Sequence, residues 1–239
     1  LDVAVAQTQG SMGYMLANQL RNRFNEEQLE KDIAAVLTEV EVSRDDSAFE
    51  NPTKPVGPYF TAYRANLLMQ ELGWQMVEDA GRGWRKVVPS PMPQKIVGCH
   101  LLKKLVENGA VLVAGGGGGI PVVADSEGNL SGVNAVIDKD LSSALLANEL
   151  SADLLIILTA VDNVYLDFNK PTQRKLDCMT VEQAGAYLAE GHFATGSMGP
   201  KVRASMNFLD NGDKRAIITS AENLVAAVRQ NQGTHIVSS

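Results

Sequence analysis

The chain has 239 residues, of which 45% are hydrophobic and only 5% aromatic, and its formal net charge is −7. This length is enough to bury a large core as one or two domains. The negative charge argues against nucleic acid as the main partner, because polyanions attract basic surfaces. Cys99 and Cys178 lie far apart without a CxxC spacing, which argues against a disulfide framework or zinc site and favours a reducing cytoplasm.

No stretch predicts a membrane span. The longest uncharged stretch, Gly109 to Ala124, is interrupted by consecutive glycines. It is also shorter than the roughly 20 apolar residues that a spanning helix needs. No basic region precedes an apolar run at the start of the chain, so we expect no signal peptide.

The first part of the chain predicts two core elements and then an irregular region. Met12, Leu16 and Leu20 recur at helical spacing and predict a helix from about residue 9 to 23. The apolar run at residues 34–40 predicts a strand. Residues 45–93 hold most of the prolines and both tryptophans, and we expect a subdomain or lid with a helix at 62–72 and a small core of its own. An ordinary long surface loop is the alternative.

From Ile96 onward the pattern is regular. It predicts helices at 96–108, from 141, at 181–190 and at 200–209, and strands at 110–114, 135–137, 154–159 and 216–219. Continuous apolar strands alternating with helices indicate an α/β protein with a mainly parallel sheet covered on both faces.

The first chemical signal is a run of five glycines, Gly115 to Gly119, directly after a predicted buried strand. Without side chains, backbone N–H groups can close on a phosphate or a carboxylate. Gly116, Gly117 and Gly118 are therefore candidates for substrate binding. A tight turn against a closely packed sheet explains the glycines nearly as well, and neither a P-loop nor a full GxGxxG motif is present.

The second signal is Asp138-Lys139-Asp140, placed where a predicted strand leads into a helix. An N-capping aspartate beside a solvated lysine is the simplest interpretation. In open α/β sheets, however, ligands bind in the crevice outside the ends of the strands. The triplet is therefore a candidate for part of an active site.

The third signal is the stretch from Gly196 to Lys201, at the start of a predicted helix. Lys201 stands in the first turn, where the helix dipole already has its positive end, so lysine is disfavoured unless an anion compensates. Lys139 and Lys201 could flank a transferring phosphoryl group with Asp140 holding them, because phosphoryl transfer needs charge neutralisation and alignment more than covalent chemistry. The three histidines show no metal-ligand spacing, and no protein metal site is predicted.

Several stretches occur in the same order as the motifs of a known family. They are Asn51 to Pro58, Glu78 to Arg85, Val88 to Pro91, Gly116 to Val122, Val136 to Asp140, Gly191 to Phe193 and Gly196 to Lys201. Along nearly the whole chain they resemble carbamate kinase. The resemblance implies the amino-acid-kinase fold, a three-layer α/β/α sandwich with a mainly parallel sheet, and one domain over residues 1–239 with a protruding subdomain at 45–93.

The resemblance also implies an activity: reversible phosphoryl transfer between ATP and carbamate, giving ADP and carbamoyl phosphate, with Mg²⁺. Such enzymes commonly make ATP in the breakdown of arginine or ureido compounds, as cytoplasmic homodimers. By motif, the catalytic residues are Lys139, Asp140 and Lys201, and Lys54 reaches the carbamate or its phosphate. The residues assigned to adenosine are Thr159, Ala160, Asp162, Tyr165, Met198, Gly199 and Pro200.

Some features leave alternatives open. The family's opening Gly-Gly-Asn and Gly-Asn-Gly-Pro turns do not occur here, so we expect the family's N-terminal segment to be missing from this sequence. Two competing functions are open: another carboxylate kinase of the same superfamily, and a nucleotide-binding regulatory domain without catalysis. Arg82 and Arg85 could bind an anion, but ion pairs with Glu78 or Asp79 are at least as consistent with the sequence.

Overall fold

The structure is a computed structural model, and it describes residues 1–79, 81–194, 196–210 and 214–238. The helices of the described residues are α1 (Asp2–Glu26), α2 (Ala62–Leu72), α3 (Cys99–Glu107), α4 (Lys139–Glu149), α5 (Val181–Ala189), α6 (Met198–Leu209) and α7 (Leu224–Gln230), with one 3₁₀ turn at Ser47–Phe49. Their strands are β1 (Ile33–Ala35), β2 (Glu39–Val42), β3 (Lys54–Phe60), β4 (Met76–Glu78), β5 (Trp84–Val88), β6 (Pro93–Ile96), β7 (Val111–Val113), β8 (Ile120–Ala124), β9 (Leu130–Gly132), β10 (Leu154–Thr159), β11 (Val164–Leu166), β12 (Arg174–Leu176), β13 (Cys178–Thr180), β14 (Arg215–Ser220) and β15 (Thr234–Val237).

The chain divides into two compact units. The first comprises residues 1–97 and 106–139, and the second comprises residues 98–105 and 140–239. Parallel pairs occur in both units, and helices alternate with the strands along the chain. The predicted α/β class is therefore confirmed. The single-domain division stays a prediction.

In the first unit, β2 is central to a four-stranded sheet of order β6-β2-β8-β9. It pairs in parallel with β8, and with β6 in antiparallel orientation. Strands β1 and β7 form a separate parallel pair. The side chains of Val40, Val42, Val122 and Val123 are buried. Strand β8 is buried at four successive residues and is therefore covered on both faces, whereas β2 alternates buried valines with more exposed glutamates.

The same unit contains a three-stranded sheet of order β3-β5-β4, built from the proline-rich stretch. Helix α2 begins where the hydroxyl of Thr61 caps the amide of Arg64, and it ends at Gly73, whose φ of 63° suits glycine. Ala65, Leu68 and Met76 form a buried cluster against which both tryptophans pack. The stretch thus has its own small core, and its extent as a protruding subdomain at 45–93 stays a prediction.

The second unit has a four-stranded sheet of order β10-β14-β15-β13 and the antiparallel hairpin β11-β12. Strand β14 pairs in parallel with β10 over six residues, so the carboxyl ends of the two strands lie level. Helices α5 and α6 pack on this unit, and its core includes Val202, Phe208, Ile218 and Ile236. This arrangement brings the end of β10 and the start of α6 into one region.

Besides helix α1, which begins at Asp2 and not near residue 9, three predicted elements differ from the structure. The expected strand at 34–40 is divided into β1 and β2. At the break, the amide of Thr38 donates to the side chain of Gln9, and its carbonyl accepts both from that side chain and from the amide of Ile120. Ile96 closes strand β6 and does not open the following helix.

The third difference concerns residues 135–137, which are not a strand. Ala135 and Ile137 are buried, so their apolar character reflects burial, and the amide of Val136 donates to the carbonyl of Pro89 outside any sheet ladder.

Candidate active site

The start of helix α6 holds a buried ion pair. The Lys201 ammonium lies 3.0 Å from Oδ2 and 3.2 Å from Oδ1 of Asp140. Lys201 is 8% exposed and Asp140 is 7% exposed. Asp140 stands in the first turn of α4, where the helix dipole favours an anion, and it offsets the unfavourable position of the lysine near the start of α6. The compensating anion that the sequence required is therefore a side chain of this protein.

The helix that carries Lys201 is held firmly. Val202 and Phe208 are fully buried, and the hydroxyl of Ser205 donates to the carbonyl of Lys201 one turn back. The helix begins at Met198, so Pro200 is its third residue and not its first. Ser197 occupies the cap position, but its side chain makes no capping hydrogen bond.

A second lysine–aspartate pair lies in the first unit. The Lys54 ammonium donates to Oδ2 of Asp138 at 2.7 Å, and both side chains are partly buried. Lys54 begins β3, where it pairs with Val88 of β5. The sequence suggested that Asp140 positions both Lys139 and Lys201. In the structure, each of the two carboxylates beside Lys139 pairs with a distant lysine: Asp138 with Lys54, and Asp140 with Lys201.

The glycine run forms a turn that packs closely against its own unit. Gly115, Gly116, Gly117 and Gly119 have positive φ, and the amide of Gly119 donates to the carbonyl of Gly115 at 3.1 Å. A Cβ on Gly118 would collide with the carbonyl of Ile137. Residues 116–119 also line a cleft of about 220 Å³ with the first turns of α1. Close packing thus explains part of the run, and the substrate role of Gly116, Gly117 and Gly118 stays a prediction.

The second unit has an apolar cavity of about 240 Å³ beyond the end of β10. Four residues that the sequence assigned to adenosine line it: Thr159, Ala160, Tyr165 and Met198. Val161, within the stretch at 158–165 that the resemblance places at the adenosine site, also lines it. The remaining lining residues were not predicted: Phe168, His192, Phe193, Ala194 and Ser197. Asp162, Gly199 and Pro200 are not among the residues that line it, so their contact with adenosine stays a prediction.

Charged side chains surround the rim of this cavity. The ring nitrogens of His192 face Asp167 at 3.2 Å and Glu190 at 3.0 Å. Hydrogen bonds from Lys170, Thr172 and His192 lower the pKa of Asp167 to about 2. This carboxylate therefore keeps its charge, and it fixes the turn that carries Phe168 into the cavity wall. An aromatic residue three positions after Tyr165 is the only sequence signal that could have identified Phe168, whereas His192 and Phe193 lie within a family motif that was not assigned to this site.

Arg82 and Arg85 pair with Asp79, at 3.3 Å and 3.1 Å. The hydrogen bond from Arg85 holds the pKa of Asp79 below its usual range. Both guanidinium groups also lie 5.1 Å from the centre of the Tyr59 ring. The ion-pair interpretation of these arginines is therefore confirmed, with Asp79 as the shared carboxylate.

No helix at residues 1–79, 81–194, 196–210 or 214–238 is long and apolar enough to cross a membrane. Within the same ranges, no group of three or more His, Cys, Asp or Glu side chains could hold a metal ion.

Comparison with known proteins identifies the family. The profile of the Amino acid kinase family matches residues 4–220. Carbamate kinase 2 of Enterococcus faecalis is 50% identical over 225 residues, which cover 94% of this chain and 72% of that protein. The carbamate kinase of Oenococcus oeni is 47% identical over 238 residues, covering 99% of this chain and 75% of that protein.

Solved structures agree with the sequence relatives. The carbamate kinase from Giardia lamblia bound to AMP-PNP superposes with a TM-score of 0.88 at 42% identity, over 99% of this chain and 75% of that one. The same enzyme bound to citric acid gives a TM-score of 0.91. The amino-acid-kinase fold is thus shown, and this chain belongs to the amino acid kinase family and, within it, to the carbamate kinases.

Proposed function

We propose that this chain transfers a phosphoryl group reversibly between ATP and carbamate, giving ADP and carbamoyl phosphate. The main support for this proposal is the arrangement of residues at the start of α6. Met198 lines the apolar cavity, and Lys201, three residues later on the same helix, forms the buried pair with Asp140. A base-sized apolar cavity and a fixed buried cation on one helix are what a nucleotide-dependent phosphotransferase needs.

The chemistry needs two bonds to change. In the direction of ATP synthesis, a terminal oxygen of ADP attacks the phosphorus of carbamoyl phosphate, and the bond from phosphorus to the carbamate oxygen breaks. Negative charge spreads over the phosphoryl oxygens, and we propose that Lys139 and Lys201 neutralise it. Asp140 holds the Lys201 ammonium in place, so this charge needs no reorganisation during transfer.

We assign substrate binding to Lys54 and to the turn at Gly116, Gly117 and Gly118. Lys54 is partly exposed although it pairs with Asp138, so its ammonium remains accessible to a small anion. The backbone amides of a turn with positive φ can also face an anion. The family motifs on which these residues lie support the assignment.

We assign the adenine base to the apolar cavity, with Thr159, Ala160, Tyr165 and Met198 as contacts, and with Asp162, Gly199 and Pro200 toward the ribose or phosphates. The AMP-PNP bound to the Giardia relative supports a nucleotide in this family. Mg²⁺ usually binds through substrate phosphates with only one or two carboxylates. We propose that it enters with the nucleotide.

The test is a coupled assay in which the protein, Mg²⁺, ADP and carbamoyl phosphate form ATP. ATP formation that depends on carbamoyl phosphate is the expected result. ADP production from ATP with an amino-acid carboxylate, but not with carbamate, would favour another carboxylate kinase. Nucleotide binding without turnover of any acceptor would favour the regulatory function.

The biological setting is also a proposal. Family resemblance supports a homodimer in the cytoplasm that makes ATP during the breakdown of arginine or ureido compounds. Light scattering coupled to gel filtration tests the dimer, which should have twice the mass of the 25.6 kDa chain.

A further inference from the structure

We infer that Thr219 and Ser220, the last two residues of β14, are positioning residues for the nucleotide. Their hydroxyl groups fix the loop at residues 160–163, which forms one wall of the apolar cavity. The inference rests on the proposed function, because it assigns the cavity to the nucleotide. Neither residue lines the cavity, so both would act through the loop.

The loop connects the end of β10 to the start of β11. Thr159, Ala160 and Val161 line the cavity, and Asp162 follows them at the surface. Ala160 is exposed and Val161 is only half-buried, so apolar packing contributes little to the conformation of the loop. Polar contacts must therefore determine where this wall of the cavity lies.

Strand β14 provides those contacts. Its residue Ser220 pairs with Thr159 of β10, so the loop leaves the sheet directly beside it. The Thr219 hydroxyl donates to the carbonyl of Asp162 at 3.1 Å, and the Ser220 hydroxyl donates to the carboxylate of Asp162 at 2.5 Å. One residue of the loop is thus held through both its main chain and its side chain.

Both hydroxyl groups are themselves oriented. Asn223 donates from its side chain to the Thr219 hydroxyl and from its backbone amide to the Ser220 hydroxyl. Thr219 is fully buried and Ser220 is 4% exposed. Because each hydroxyl accepts one hydrogen bond from Asn223, its own proton is directed to Asp162.

The far end of the loop is anchored independently. The Asn163 side chain donates to the carbonyl of Leu176, and the amide of Val164 donates to the Thr234 hydroxyl. With both ends fixed, loss of the Asp162 anchor would free only the segment at residues 160–162. The affected part is the part that lines the cavity, so nucleotide affinity should change more than the phosphoryl-transfer step.

Two substitutions at Thr219 separate the effect of its hydroxyl group from the effect of its packing. Thr219→Val keeps the shape and removes the hydroxyl, and Thr219→Ser keeps the hydroxyl and removes the methyl group. We expect Thr219→Val and Ser220→Ala each to raise the KM for ADP about fivefold with kcat within about twofold of the parent enzyme, since they weaken binding without touching the transferring group. Thr219→Ser should leave the KM for ADP near the parent value.

The control for a purely structural effect is Thr180→Ala. It removes the capping box of α5, where the Thr180 hydroxyl accepts from the amide of Gln183, and so lowers stability away from the loop. It should lower Tm and leave the KM for ADP unchanged. The positioning role is wrong if Ser220→Ala and Thr219→Val, like Thr180→Ala, lower Tm without changing the KM for ADP. It is also wrong if Thr219→Ser raises the KM as much as Thr219→Val does.

A double-substitution cycle gives a second readout. Ser220→Ala combined with Asp162→Ala should raise KM no further than the worse of the two single changes, because both remove the same side-chain hydrogen bond. Calorimetric titration with ADP replaces KM for any variant that turns over too slowly. A parent protein that neither forms ATP nor binds ADP overturns the proposed function together with this inference, whereas an active parent with unaffected variants overturns the inference alone.

Discussion

The buried pair of Lys201 and Asp140 has two consequences that one substitution can measure. Lys201→Met removes the ammonium and keeps most of the length of the side chain. Both partners are more than nine-tenths buried, so Asp140 loses a hydrogen-bonded cation in a site that water scarcely reaches. Asp140 also has an interaction beyond these two hydrogen bonds, so it is not left without any partner.

The effect on stability follows from that burial. Removing one partner of a buried pair typically costs about 3–5 kcal/mol, and we expect the lower end because Asp140 keeps another interaction. Against a total stability of about 5–15 kcal/mol for a typical domain, the variant should fold but with a clearly lower urea midpoint. Asp140→Asn with Lys201→Met should cost less than the sum of the two single changes, since neither charge is then left alone.

The effect on turnover should not show that compensation. Loss of one fixed charge at a developing anion typically lowers kcat about 10²–10³-fold, which is about 3–4 kcal/mol of barrier. Both single variants and the double variant should therefore be poor enzymes, although the double variant regains stability. The assays are urea unfolding and coupled ATP formation on the same preparations.

A surface lysine provides the matched control. Lys95 is 68% exposed and lies 3.9 Å from Glu41, so Lys95→Met should change stability by no more than about 1 kcal/mol and leave turnover unchanged. Turnover of Lys201→Met within tenfold of the parent enzyme would refute the catalytic role of the lysine. A double variant that loses as much stability as the two single changes together would refute the coupling.

Three further predictions test other parts of the structure. Burial and a neighbouring glutamate raise the pKa of Cys99 to about 11, so iodoacetamide at pH 8 should label the exposed Cys178 first. Mass spectrometry measures the order of labelling, and the reverse order would contradict this prediction. The pKa of Asp167 is about 2 in the folded protein and about 3.9 when unfolded, so its contribution to stability is present above about pH 4 and fades as pH falls toward 2. The stability difference between the parent and Asp167→Asn should therefore shrink between pH 5 and pH 3 in urea unfolding, and a constant difference would be evidence against it. Gly118→Ala should lower the free energy of unfolding by about 1–3 kcal/mol, because the added methyl group overpacks the turn. Gly10→Ala adds a methyl group in open space on α1 and should not lower it. Equal urea midpoints for the two variants would contradict the packing argument.

Sequence patterns were most informative where one local cause determines the structure. The bounds of α2 follow from Thr61 as the cap and Gly73 as the stop, and both are adjacent in sequence to the helix. Lys201 was recognised because lysine near the start of a helix needs an anion, and Asp140 supplies it. In both examples the chemistry of a short segment is sufficient.

The patterns failed where the cause is distant in the chain. Residues 135–137 are apolar like a strand, yet their burial comes from packing and not from a ladder, and no local signal separates the two. The pairing of Lys54 with Asp138 joins residues 84 positions apart. Phe168 and His192 both line the cavity, although they are 24 residues apart in the chain. The contact between Asp167 and the His192 ring brings the two segments together.

The two lysine–aspartate pairs show why a phosphotransferase keeps carboxylates beside the cations that it needs. A lone buried ammonium would be costly, and it would tend to lose its proton. Asp140 and Asp138 hold the ammonium groups of Lys201 and Lys54 in fixed directions before any substrate arrives. In the proposed mechanism, the partly exposed Lys54 exchanges its partner for a small anion. The buried Lys201 keeps Asp140 and interacts with the substrate through its remaining protons. Substitution of Asp138 by Asn should therefore alter chiefly the KM for carbamoyl phosphate, and substitution of Asp140 by Asn should alter chiefly kcat.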